Sequence, residues 1–149
     1  MSGKDETVFF LDQNTLGRKF VQILREAGAK VEVLSDHFSK TTSDVEWLAE
    51  VGRRGWLVVT RDQAIGNDIL EEIAVAQANV RMFAFVMGNA SKAELERDMG
   101  EAIAKMERFA RSHKAPFIAK VYAYGKVRKW RDREKLLSTL RQYGLTDDG

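Results

Sequence analysis

The chain lacks cysteine altogether among its 149 residues. This absence excludes disulfide bonds and thiolate metal ligands, and it is typical of a reducing compartment. Long apolar runs are also absent, since none approaches the roughly 18 residues needed to span a bilayer. The polar start, Met1 to Thr7, does not resemble a secretory signal. We therefore expect a cytoplasmic protein that has no membrane partner.

Histidine is scarce in the sequence, and the glycine-rich loops of nucleotide-binding proteins are missing. His37 and His113 are the only histidines, and neither has a second histidine at metal-binding spacing, so a zinc site is not expected. His37 lies in a predicted loop near the edge of the sheet, where contact with a substrate is one alternative. The patterns of phosphate-binding glycine loops are absent, so no nucleotide-binding loop is indicated.

What the chain does contain is enough apolar sequence for one core and an uneven distribution of charge. Hydrophobic residues make up 44% of the sequence, and 149 residues correspond to about one domain. Residues 1–104 carry 12 Lys and Arg against 17 Asp and Glu, whereas residues 105–149 carry 12 against 5. An acidic body with a basic last third suggests a carboxylate site beside a surface that attracts phosphate. The alternative is a solvated basic helix face.

Apolar runs alternate with helical periodicity along the chain. Strands are predicted at Val8–Leu11, Val31–Val33, Trp56–Thr60 and Val80–Met87, and a strand or hairpin is predicted over 117–130. Helices are predicted over 15–27, from Ser43 to about Val51 with Gly52 and Gly55 ending it, from Asn67 or Asp68, from Ser91, and over 132–143. Ser43 with Glu46 and Ser91 with Glu94 have the spacing of capping boxes.

This alternation predicts the fold class. Strands that alternate with helices form a mostly parallel sheet with helices on both faces, a three-layer α/β/α arrangement. We expect one domain over residues 1–149, in which residues 8–88 form the core with the acidic site. Residues 91–145 then add a long helix, a basic β segment and a C-terminal helix. Right-handed crossovers place the carboxyl ends of the parallel strands at one edge, where ligands bind.

Three aspartates are predicted at that edge. Asp12 follows the first strand, Asp62 follows the third, and Asp44 opens the helix between them. Carboxylates gathered at one edge repel one another unless a hard cation binds among them, and oxygen ligands suit Mg²⁺ or Mn²⁺. Such an ion would serve phosphodiester hydrolysis. For each aspartate taken alone, capping of a helix is the competing interpretation.

Further side chains could complete or orient this site. Asp68 and Glu72 lie four residues apart on the next helix, where either is a candidate for a fourth metal ligand and an exposed charged face is the alternative. Thr60 lies two residues before Asp62 on the same side of the strand, so its hydroxyl could orient that carboxylate. Asn14 could donate a hydrogen bond to Asp12 or cap the helix that follows.

The last third of the chain is a candidate nucleic-acid surface. Cations interleaved with aromatic residues are the composition that holds a phosphate backbone and unstacked bases. The alternative is a hairpin whose aromatic residues face the core while its cations face water. The cations are Lys126, Arg128, Lys129 and Arg131, and the aromatic residues are Tyr122, Tyr124 and Trp130.

Three short motifs resemble those of the PIN-like nuclease superfamily. They are Leu11-Asp12-Gln13-Asn14, Asp44-Val45-Glu46-Trp47-Leu48 and Thr60-Arg61-Asp62. The chain is most similar to the compact branch, which includes PIN-like toxins of the VapC type. The resemblance covers residues 8–88 well and residues 91–130 more loosely.

The resemblance implies a metal-dependent endoribonuclease that acts on RNA as the toxin partner of an antitoxin. It implies Asp12, Asp44 and Asp62 as metal ligands. Relatives often carry a further acid two residues after the third aspartate, and this chain has Ala64 there. A homodimer is one alternative for the oligomeric state. The competing functions are a receiver-like signalling domain and a non-catalytic module that binds RNA or protein.

Overall fold

A computed structural model describes residues 7–12, 16–61 and 69–146. Strands and helices alternate along these residues, as the periodicity predicts. The strands are β1 Val8–Leu11, β2 Lys30–Val33, β3 Leu57–Arg61, β4 Arg81–Val86, β5 Phe117–Tyr122 and β6 Val127–Arg131. The helices are α1 Arg18–Glu26, α2 Asp44–Arg54, α3 Ile69–Ala78, α4 Lys92–Ser112 and α5 Arg133–Gln142, with a short 3₁₀ helix at Leu34–Asp36.

The described strands form one sheet in the order β2-β1-β3-β4-β5-β6. Strands β1 to β5 pair in parallel, and β6 pairs antiparallel to β5. The predicted strand or hairpin over 117–130 is therefore a hairpin, which turns at Gly125 with a φ of 100°. The predicted α/β class with a mostly parallel sheet is confirmed.

Helices cover both faces of the sheet. Successive side chains of a strand point to opposite faces, so each strand supplies both cores. Phe9 and Leu11 of β1 pack with α1 and α4, whereas Phe10 packs on the other face with α2, α3 and α5. None of the described helices is long and apolar enough to cross a membrane.

The start of each capped helix follows from its sequence. The Ser43 hydroxyl accepts the Glu46 N–H while the Glu46 carboxylate accepts the Ser43 N–H, so the predicted capping box starts α2. The same reciprocal pair, Ser91 with Glu94, starts α4. Asp132 caps α5 by accepting the Lys135 N–H at 2.8 Å. Asp44 is thus the first residue of α2 and not its cap.

Two glycines change the helix boundaries that the sequence predicts. Leu16 is helical, but Gly17 has a φ of 86°, which a helix cannot adopt, so the helix predicted over 15–27 is interrupted there and α1 begins at Arg18. Gly52 does not end α2, because the helix continues to Arg54 and terminates at the left-handed Gly55. Gly52 instead lies where α2 contacts the carbonyl group of Ala78, leaving no room for a Cβ atom.

Candidate active site

A cleft of about 520 Å³ opens where β1 and β3 end, between the sheet and helices α2 and α3. Leu11 of β1 pairs with Val59 of β3, so the next residues, Asp12 and Thr60, lie at the same edge of the sheet. Asp12 follows its strand directly, as the sequence predicts. The polar and charged lining residues are Asp12, Asp44, Thr60, Arg61 and Glu71.

Asp44 reaches this cleft from the first turn of α2. Since Ser43 is the cap, the carboxylate of Asp44 is available for another role. Its Oδ1 accepts a hydrogen bond from the Nε1 of Trp47, with 2.9 Å between the two atoms. Trp47 is only 9% exposed and lines the cleft from the core, so its indole fixes the direction of the carboxylate.

The cleft gathers two of the three predicted aspartates within the described part of the chain. Asp12 and Asp44 both line it. Asp62, the third, lies outside the described residues, and so do Asp68 and Asn14. Within residues 7–12, 16–61 and 69–146, no group of three or more acidic or histidine side chains is close enough together to hold a metal ion. The roles of these residues as ligands stay predictions.

Helix α3 presents Glu71, and not Glu72, to the cleft. Glu71 lines it together with Leu70 and Ala74, which share one helical face. Glu72 is buried, with 4% of its surface exposed, and its carboxylate accepts the Nε–H of Arg131 at 3.3 Å. The Glu72 carboxylate therefore neutralises a cation of β6, and Glu71 is the acid of α3 that lines the cleft.

The donor set suits a small hard cation. Mg²⁺ is usually held by one or two carboxylates, completing its shell with water and substrate phosphate. Asp12 and Asp44 supply two carboxylates, and the Trp47 bond engages only one oxygen, Oδ1, of Asp44. Sequence reasoning missed Trp47, whose spacing three residues after Asp44 was the available signal.

Thr60 and Arg61 complete the sheet side of the cleft. Thr60 is half-buried and lines the cleft, but Asp62, which it was predicted to orient, lies outside the described residues. Arg61 is exposed at the end of β3 and was not predicted as a site residue. A guanidinium beside two carboxylates gives the cleft a group that can bind a phosphate oxygen.

Glu46 is occupied elsewhere. The backbone N–H and hydroxyl of Ser43 hold the pKa of the Glu46 carboxyl below its ordinary value. His37 is likewise engaged outside the cleft, because its Nε2 lies 2.7 Å from Oε1 of Glu32. Its ring packs against Phe10 and Trp56. Neither Glu46 nor His37 lines the cleft among the residues described there.

The predicted basic cluster is spread along β6. The strand begins opposite Val121, near the carboxyl end of β5, and ends with Arg131 opposite Ile118. Lys126 thus lies at the edge that carries the cleft, and Arg131 lies at the other. Strand β6 is three strand spacings, about 14 Å, from β3. Lys129 contacts Asp132 at 3.6 Å, and the Arg131 guanidinium lies 4.4 Å from the centroid of the Trp130 ring.

Two tyrosines, one half-buried and one exposed, form an aromatic platform on the same edge as the cleft. The rings of Tyr122 and Tyr124 stack with centroids 5.9 Å apart, and Tyr124 is 61% exposed. They border a shallow pocket of about 310 Å³ beyond the end of β4. The exposed ring of Tyr124, supported by the half-buried Tyr122 and next to Lys126, can bind an unstacked base.

Comparison with known proteins adds three findings. Residues 7–87 match the model of a family described as a PIN like domain. The chain is 25% identical over 117 residues to the putative ribonuclease VapC45 of Mycobacterium tuberculosis (strain ATCC 25618 / H37Rv), which covers 76% of this chain and 84% of that protein. No solved structure matches the chain at a significant level.

Proposed function

The chain belongs to the PIN-like domain family, and from this premise we propose that it is a metal-dependent endoribonuclease. One observation carries the proposal: Asp12 and Asp44 line a single cleft at the carboxyl ends of the parallel strands. We further propose that it is the toxin of a toxin–antitoxin pair. The similarity to a relative that bears the name of a VapC ribonuclease supports this step.

Asp12 and Asp44, with Asp62 as the third ligand, would hold Mg²⁺ or Mn²⁺. Such an ion lowers the pKa of a bound water and stabilises negative charge on a phosphodiester. Trp47 keeps the Asp44 carboxylate turned toward the cleft. Arg61 binds a phosphate oxygen of the RNA and draws the strand to the two acids, which would otherwise repel it. Glu71 faces the bound strand from α3.

The platform formed by Tyr122 and Tyr124 gives the RNA strand a second contact on the same edge. Bases stack on exposed aromatic rings without strong sequence preference. Lys126 and Arg128 lie on the turn and on β6, beyond the platform, where they can neutralise phosphates of a strand that continues from the platform away from the cleft. A strand bound along this edge would therefore pass over the acidic cleft.

Cleavage of RNA by carboxylate variants tests the proposal. Asp12→Asn and Asp44→Asn should each lower Mg²⁺-dependent cleavage by about 100-fold or more, since even outer-shell partners of metal ligands change activity by about 10- to 100-fold. Asp36→Asn is the matched control, because Asp36 is exposed and lies away from the cleft lining. EDTA should stop cleavage by the unmodified protein. Salt-sensitive RNA binding without any metal-dependent cleavage would instead indicate a non-catalytic RNA-binding module.

A further inference from the structure

A basic groove lies at the opposite edge of the sheet, where β4 and β5 begin. It has a volume of about 510 Å³ and runs between the first residue of β4, the end of α4 and the start of α5. We define the basic groove by its four cations, Arg81, Arg111, Lys114 and Arg133. Helix α4 runs from the edge that carries the acidic cleft to this one, so the two sites are at opposite ends of the molecule.

The lining of the basic groove is cationic, and Glu107 lies in an adjoining pocket that shares Arg81 and Arg111 with the groove. Among the described residues that line the groove itself, none is acidic. No acidic side chain within the described ranges forms an ion pair with Arg81, Arg111 or Lys114. Arg133 donates a hydrogen bond to the carbonyl oxygen of Ala115, which fixes its guanidinium at the groove. Like charges gathered along one groove repel one another, and a bound polyanion would relieve that repulsion.

An aromatic pocket continues the basic groove. It has a volume of about 250 Å³ and shares His113, Lys114 and Arg133 with the groove. The ring of His113 stacks on Phe109 with centroids 3.8 Å apart and planes 6° apart. On the α5 side lie Asp132, which caps that helix, and Glu134.

We propose that the basic groove and the aromatic pocket bind a single-stranded segment of RNA. The phosphates would lie along the cations, and one base would enter the pocket and stack on His113. Aromatic rings next to cations are the usual surface for unpaired nucleotides. An acidic protein segment would neutralise the cations equally well, but its carboxylates would not stack on the aromatic ring of His113. Nucleic acid therefore fits the groove better.

Binding of RNA by the basic groove rests on the proposed ribonuclease function and specifies its substrate class further. Strand β5 spans six residues, Phe117–Tyr122. At about 3.3 Å per residue, the basic groove is roughly 20 Å from the edge that carries the acidic cleft. An RNA that touches both sites must extend over at least that distance. The substrate class is therefore a long or folded RNA that has an unpaired segment away from the bond that is cut.

The test measures binding of a short single-stranded RNA in EDTA over a range of salt concentrations. The Arg111→Glu/Lys114→Glu variant should raise the Kd about tenfold or more. It should also reduce the slope of log Kd against log salt by about 1.4, because each phosphate contact contributes about 0.7. The matched control is Arg18→Glu/Lys19→Glu, which makes the same charge change at two exposed positions of α1.

The His113→Ala variant distinguishes the stacking of a base from the binding of polyanions that have no base. It should raise the Kd for RNA by about 5- to 150-fold, the effect of losing one stacked base, and leave an abasic strand of equal length unaffected. The proposal would be overturned if His113→Ala lost affinity equally for RNA, the abasic strand and polyglutamate. It would also be overturned if the Arg111→Glu/Lys114→Glu variant bound RNA as tightly as the unmodified protein. Normal cleavage by Asp12→Asn would overturn only the ribonuclease function, since the binding measurements do not depend on it.

Discussion

Trp47 Nε1 donates a hydrogen bond to Asp44 Oδ1 at 2.9 Å, joining a core residue to a carboxylate of the cleft. The two residues are three positions apart on α2, which places them on adjacent turns of one face. Because Trp47 is buried, the carboxylate cannot rotate freely without losing this bond. The direction of the Asp44 carboxylate in the cleft therefore depends on the packing of Trp47 in the core.

Replacing Trp47 by phenylalanine should reduce metal binding and cleavage more than it reduces the stability of the fold. The phenyl ring retains most of the packing but cannot donate the hydrogen bond to Asp44. Loss of an outer-shell partner lowers metal affinity or activity by about 10- to 100-fold. Titration calorimetry with Mn²⁺ and Mg²⁺-dependent cleavage of RNA would measure the change. Trp56→Phe is the control, because Trp56 stacks on Phe10 and does not line the cleft. Equal effects of the two substitutions would contradict the role of the hydrogen bond.

The two neighbouring glutamates of α3 should behave differently. Glu71→Gln should reduce cleavage or divalent-ion affinity and cost less stability than Glu72→Ala, because Glu71 is half-buried and glutamine keeps nearly the same shape. Glu72→Ala should destabilise the protein by up to about 3 kcal/mol, because it leaves the Arg131 guanidinium without its partner, although one-quarter of Arg131 is exposed. Urea denaturation and metal titration on both variants separate the effects. The reverse pattern would show that Glu72 is the acid that serves the cleft.

Glycine at position 52 should be required by the contact between α2 and α3. A methyl group there would overlap the carbonyl oxygen of Ala78, so we expect Gly52→Ala to cost about 1–3 kcal/mol. Gly100 provides the matched control in α4, since a Cβ at that position meets no atom within 4 Å. Gly100→Ala should stabilise the protein by up to about 1 kcal/mol through helix propensity. Denaturant melts of both variants test the contrast, and similar changes in unfolding free energy would refute it.

The capping box of α2 should make stability depend on pH in the acidic range. The pKa of Glu46 lies below its ordinary value of 4.5 in the folded protein, through its bonds to Ser43. Above pH 4.5 the stabilisation is therefore complete, and it is lost as the pH falls through the lowered folded-state pKa. Glu46→Gln keeps a hydrogen-bonding side chain and removes this titration. The free energy of unfolding of this variant, measured by urea denaturation, should change less with pH than that of the unmodified protein. An NMR titration that gave Glu46 a pKa above 4.5 would disprove the assignment.

The parts of the fold that depend on local sequence were predictable. Ser-x-x-Glu at residues 43–46 and 91–94 predicted two helix starts, since a capping box is formed within one turn. The alternation of apolar strands and periodic helices predicted the parallel sheet. Asp12 was placed at the carboxyl edge because right-handed crossovers allow no other edge.

The remaining features depend on tertiary contacts that a sequence does not display. Glu72 was a candidate ligand beside Asp68 and Glu71 was not, because which acid faces the cleft depends on how α3 rotates against the sheet. The β5–β6 hairpin carries Arg131 to the edge opposite the cleft, whereas the sequence shows only one cluster of cations. Gly52 was expected to end α2, but its function is to let the backbone of Ala78 approach. The basic groove joins residues from β4, α4 and α5 that are up to 52 positions apart, from Arg81 to Arg133.

The most direct measurement is an anomalous diffraction map from crystals soaked in Mn²⁺. We expect one strong peak in the cleft, about 2 Å from a carboxylate oxygen of Asp12 and from one of Asp44. The same peak should be lost in crystals of Asp12→Asn. Carboxylates turned apart with no peak between them, at an ion concentration that saturates any RNA cleavage, would contradict a metal-dependent active site at this edge.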